Sequence, residues 1–116
     1  MWKLSAQLVI GLAVGLAGTD MAGAQTCGAG LAGSQVVEGA RYTVAFRAAP
    51  APIAIGRHFA VELVVCAKSP ADAPTAVRLD AFMPEHNHGM NYKPALAAAG
   101  PGRYRSDGWM FHMPGR

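Results

Sequence analysis

His58-Phe59-Ala60-Val61-Glu62-Leu63-Val64-Val65-Cys66 places Phe59, Val61, Leu63 and Val65 on one face and Ala60, Glu62, Val64 and Cys66 on the other. That period of two is the signature of a half-buried strand. Glu62 marks the second face as the outer one, so Cys66 points away from the core. Working outward, residues 41–47 repeat the pattern, with Tyr42, Val44 and Phe46 set against Thr43, Ala45 and Arg47. Residues 77–83 repeat it again, Val77, Leu79, Ala81 and Met83 facing inward against Arg78 and Asp80. Pro50 and Pro52 end the first of these runs, and Pro70 and Pro74 lie in the loop before the third, because proline cannot donate to a ladder.

Pro84 stops the third run and opens a long connection over 84–101, in which the small residues 95–100 suit one helical turn. Residues 102–106 and 108–113 then read as a hairpin around Ser106-Asp107-Gly108, the Asp-Gly pair supplying the turn. No amphipathic helix of useful length follows the N-terminal region. Short strands between Pro/Gly loops predict an all-β fold, a small antiparallel sandwich.

Residues 1–24 read as a signal peptide. Lys3 gives a positive start, 4–18 is an apolar stretch interrupted by Ser5 and Gln7, and Ala22-Gly23-Ala24 offers a small-x-small cleavage site. The apolar stretch is short for a membrane span. Membrane contact is therefore expected only if the segment is retained, and the localisation expected is periplasmic or secreted. Residues 25–40, rich in glycine, read as a flexible lead-in to a domain over 41–116.

Cys27 and Cys66 are the chain's two cysteines. In an oxidising compartment their simplest use is a disulfide tying the lead-in to the end of a strand. Two thiols on a metal is the alternative, although no Cys-x-x-Cys spacing supports it. Ten Lys/Arg less Lys3, and seven Asp/Glu less Asp20, leave nine basic against six acidic residues after the leader, and the basic ones are scattered. This is a solvated surface rather than a nucleic-acid stripe.

Chemistry concentrates in Met83-Pro84-Glu85-His86-Asn87-His88-Gly89-Met90, which holds two of the chain's four histidines. Imidazole binds copper in either oxidation state and thioether favours the reduced one, so the mixture suits copper better than zinc, calcium or magnesium. His86 and His88 face the same way only if the backbone between them is extended. Two runs end alike, Phe82-Met83-Pro84 and His112-Met113-Pro114, and a down-and-up hairpin brings both ends to one edge. In the last run Trp109, Phe111 and Met113 are expected in the core, leaving His112 at the rim. The ligand set expected is His86, His88, Met90 and His112, with Met83 or Met113 as a soft extra donor. The alternation also suits Met83 as a core residue, and His58 as a polar strand start.

No serine sits in a nucleophile-elbow context and Glu85 is the nearest carboxylate, so an enzyme is not expected. A zinc hydrolase on His86, His88 and His112 leaves the methionines without a role. The main alternative is a metal-free interaction module, docking through Tyr92, Trp109 and the Met-rich edge onto a membrane or redox partner.

The segments Asp80-Ala81-Phe82-Met83-Pro84-Glu85-His86-Asn87-His88-Gly89-Met90, Gly102-Arg103-Tyr104-Arg105 and Gly108-Trp109-Met110-Phe111-His112-Met113-Pro114-Gly115-Arg116 resemble the YtkA-like domain family, small exported or membrane-tethered β-sandwiches related to the FixH group. The resemblance implies an immunoglobulin-like fold and an association with copper handling or respiratory-oxidase maturation, with a copper protein or oxidase-assembly factor as partner. It implies no reaction. Such domains continue into another strand after this point, so the resemblance also implies that the domain is incomplete at Arg116, with an unpaired edge and open core surface.

Overall fold

The computed structural model describes residues 3–9, 26–90 and 93–114. Among them run β1 (Lys3–Val9), β2 (Gln35–Glu38), β3 (Tyr42–Ala49), β4 (Phe59–Ala67), β5 (Ala76–Met83), β6 (His88–Gly89), β7 (Leu96–Gly100) and β8 (Arg103–Trp109). They form two antiparallel sheets, ordered β1-β5-β6 and β2-β3-β4-β8-β7, packed as a β-sandwich. No α-helix occurs among the described residues, and none there is long and apolar enough to cross a membrane.

The three alternating runs bury the faces that their sequence selects. Val61 and Leu63 are sealed, Phe59 and Val65 nearly so, Leu79 and Ala81 join their cluster from the other sheet, and Met83 at the end of that strand is fully buried. Glu62 lies on the outer face in register with Arg47 on one side and Arg105 on the other, 3.4 and 3.3 Å from their guanidinium nitrogens. Partly exposed pairs of this kind add little stability, but they satisfy the outer face of the central strand.

Cys27 and Cys66 are joined, with Cα atoms 6.0 Å apart. The disulfide draws residues 27–34 across the outer face of β3 and β4, which explains why Ala45 is fully buried there and why Leu31 is buried in a segment expected to be a flexible lead-in. Gly28 is required for that approach: its φ is +78°, and a Cβ on it would overlap the Ala45 methyl. Residues 35–38 of the same lead-in form an exposed edge strand on β3.

Two expectations for the C-terminal half are corrected. Residues 95–100 form no helical turn, because Leu96–Gly100 pairs with β8 as its outer strand. Asp107-Gly108 makes no hairpin turn. The reversal falls at Pro101-Gly102, and β8 continues through Asp107 and Gly108 as a bulge, those two residues between Ser106 and Trp109 standing opposite the single Ala60 between Val61 and Phe59. Gly108 has φ +85°, the left-handed conformation a glycine bulge needs. A turn and a bulge ask for the same backbone freedom, so the dipeptide alone does not separate them.

A Cβ at Gly108 would meet nothing within 4 Å. Gly108→Ala therefore tests backbone conformation without a steric clash, and a loss of about 1–2 kcal/mol is expected from denaturant unfolding. Unchanged stability would show that the strand tolerates another backbone at this point.

The N-terminal region is a further difference. Residues 3–9 lie antiparallel to β5 along seven pairs, Lys3 opposite Phe82 through Val9 opposite Ala76. Leu4, Ala6 and Leu8 are half-buried and Lys3, Ser5 and Gln7 exposed, so the polar interruptions of the apolar stretch fall in strand phase. The cleavage site at 22–24 lies outside the described residues.

Candidate metal centre

Connectivity gathers the His/Met segments at one end of the sandwich. β8 runs antiparallel to β4, so Trp109 ends opposite Phe59 at the start of β4. Beyond the strand the Phe111 carbonyl accepts a 2.8 Å hydrogen bond from the Gly56 N–H, holding the tail at that end. After Met90, five residues lead to Leu96, which pairs with Ser106 in the middle of β8. A link that short spans at most about 20 Å, which keeps the residues just after β6 within reach of the second half of β8.

Local backbone decides which donors meet. Pro84–His86 is a 3-10 turn and Asn87 is left-handed, with φ 49° and ψ 43°. The extended path required for His86 and His88 to share a face is therefore broken, and His86 is exposed on the turn while His88 begins β6. Asn is one of the few non-glycine residues that takes this conformation readily. The turn returns the chain onto β5 with Met83 directly opposite His88 and Phe82 opposite Gly89. Side chains directly opposite in an antiparallel pair stand on the same face with Cβ atoms about 5 Å apart. Met83 and His88 are thus neighbours on the inward face. Met90, two residues on, is half-buried and packs against the core cluster that includes Trp109 and Phe111.

The remaining candidates divide. Met83 is fully buried, so its thioether faces the interior and not a surface loop. His112 is exposed, as expected for the rim. Met113, expected in the core with Trp109 and Phe111, is instead 39% exposed: the alternation runs past the end of β8 through buried Phe111 and exposed His112 and breaks only at Met113. His58 is exposed at the residue before β4. Trp109 is fully buried and offers no docking surface, and Tyr92 lies outside the described residues.

No group of three or more His, Cys, Asp or Glu side chains among the described residues is placed to hold a metal ion. The donors that strand pairing sets side by side are His88 and Met83, with Met90 two residues on, a grouping that sequence reasoning missed because it depends on the phase set by Asn87. The left-handed preference of Asn before His88 is the signal that was available. The nearby charges are the Lys93–Asp80 pair, at 3.1 Å, and exposed Glu85. The perturbed carboxyl lies at the other end of the sandwich, where the Lys68 ammonium 2.9 Å away holds Glu38 below its ordinary value. Comparison with protein-family models, with curated proteins and with solved structures finds no match to this chain.

Proposed function

We propose that this is an exported copper-binding or copper-delivery domain without catalytic activity, taking the metal as cargo through His88, Met83 and Met90, with His86 and His112 as exposed entry donors. The observation that carries the reading is the cross-strand pairing of Met83 with His88 beside half-buried Met90. Two soft thioethers and an imidazole in a largely desolvated position favour reduced copper over zinc. Exposed histidines at the rim suit first capture and later transfer to a copper protein or an oxidase-assembly partner. The Cys27–Cys66 disulfide is in keeping with export.

The full chain titrated with Cu(I), against a competing chromophoric chelator, tests this. His88→Ala is expected to weaken Cu(I) binding by about tenfold or more, since even outer-shell changes at metal sites cost about 10–100-fold. Met83→Leu conserves volume, so it removes the sulfur with little loss of stability, and it is expected to lower Cu(I) affinity while leaving Cu(II) capture by His86 and His112 unchanged. Equal Cu(I) affinity for the parent chain and His88→Ala would overturn the reading.

A further inference from the structure

We propose that the outer edge of β5 is a strand-acceptor site, whose fitting occupant is an extended segment of a partner protein. It lies antiparallel to β5, with bulky apolar side chains at the inward positions and an acidic one opposite Arg78.

The register of such a segment is fixed by β1, which occupies the edge along seven pairs. β1 fills the edge poorly, however. A partly open cleft of about 530 Å³ lies between the sheets at this point, its floor formed by Ala6, Tyr42, Val44, Phe46, Leu63 and Leu79 and its rim including Val37 and Arg41. The inward position opposite Leu79 is held by the single methyl of Ala6, which leaves the cleft beside it free to take a larger apolar side chain. The Tyr42 hydroxyl is buried on this wall without a hydrogen-bond partner among the described residues. Buried polar groups are normally satisfied, so this wall is incomplete in chemistry as well as in volume.

Charge points the same way. Arg78 is exposed on the outward face of β5, and its cross-strand neighbour is the neutral Gln7. An opposite charge at that position would add a favourable cross-strand pair. Among the described residues β5 is paired on its other side at Phe82 and Met83 alone, so without β1 most of the strand presents open backbone groups to a partner. Main-chain pairing supplies the affinity of strand addition, and alternate side-chain pockets supply its specificity. The residues now at the edge open a segment that reads as an export leader, whose apolar run serves another step.

The full chain carrying Ala6→Asp, which sets a charge against the cleft, is compared with the parent by amide hydrogen exchange. Exchange in β5 is expected to speed up while β3, β4 and β8 stay protected. A seven-residue peptide, Lys-Leu-Ser-Phe-Glu-Leu-Val, is expected to restore protection of β5, and the same composition shifted by one residue is not. Equal action of the two peptides, unchanged β5 exchange in Ala6→Asp, or dimerisation of that variant without peptide would each overturn the proposal, the last by giving the edge to a second copy. If Ala6→Asp unfolds throughout, Ala6→Phe in the full chain decides. A midpoint raised by several degrees supports a strand slot free to take a larger apolar side chain, and an unchanged or lowered one rejects it.

Discussion

Replacing Cys27 and Cys66 together by serine is expected to lower the unfolding free energy by about 4 kcal/mol. The cysteines are 39 residues apart, and the chain-entropy relation for closing a loop of that length in the unfolded state gives about that figure at room temperature. Native packing adds to it. The bond holds residues 27–34 over β3 and β4, where Gly28 lies against Ala45 and Leu31 is buried, so release of the segment exposes the outer face of both strands. The serine at 66 would stand on that outer face, in register with Thr43, rather than in the core, so no buried apolar contact is replaced by a hydroxyl there. Since small domains hold about 5–15 kcal/mol in all, a loss of this size brings the chain close to unfolding at physiological temperature. Guanidinium unfolding of the double variant beside the oxidised parent measures it through the midpoint at equal slope. A difference below about 1 kcal/mol would mean that the lead-in packs equally well untethered and that the unfolded chain is already compact.

The part of the fold that alternation governs was legible. Phe59, Val61, Leu63 and Val65, and on β5 Leu79, Ala81 and Met83, are buried in the phase that their sequence sets. Cys66 sits on the outer face because Glu62 shares it, and there it meets Cys27. What escaped depends on pairing or on single dihedral angles. Leu96-Ala97-Ala98-Ala99-Gly100 has no alternation to read, and β8 beside it makes it a strand. Lys3-Leu4-Ser5-Ala6-Gln7-Leu8-Val9 does alternate, yet its apolar run also satisfies the pattern of an export leader, and the composition weighs equally for both. At the candidate site the donors were legible as a set, but their grouping was not. One left-handed residue, Asn87, takes His88 inward to Met83 and leaves His86 outside.

Trp109→Ala is expected to cost about 3–5 kcal/mol, the range for removing a large aromatic from a core. Trp109 is fully buried, its ring centroid lies 6.4 Å from that of Phe59, and Phe59 in turn meets Phe111 edge-on at 5.1 Å. Part of the cost is polar. The indole N–H donates to Ser106 Oγ at 2.9 Å, and the buried Ser106 hydroxyl donates in turn to the Ala95 carbonyl at 2.9 Å. Ser106→Ala leaves the indole N–H buried and unpaired, with an expected loss of about 1–3 kcal/mol. Trp109→Phe removes the donor and keeps a smaller aromatic ring in the core, so the double variant Trp109→Phe/Ser106→Ala is expected to be more stable than the sum of the single losses predicts, by about 1 kcal/mol. Strict additivity would show that the two side chains act independently, and would reject the chain of hydrogen bonds as a unit. The chain matters beyond stability, because Ala95 closes the short link that begins at Met90. Ser106 therefore ties the core tryptophan to the segment carrying His88 and Met90. Loosening that tie is expected to weaken Cu(I) binding in Ser106→Ala although no proposed ligand has changed, and full retention of affinity would place the ligands' support in the β5–β6 pairing alone.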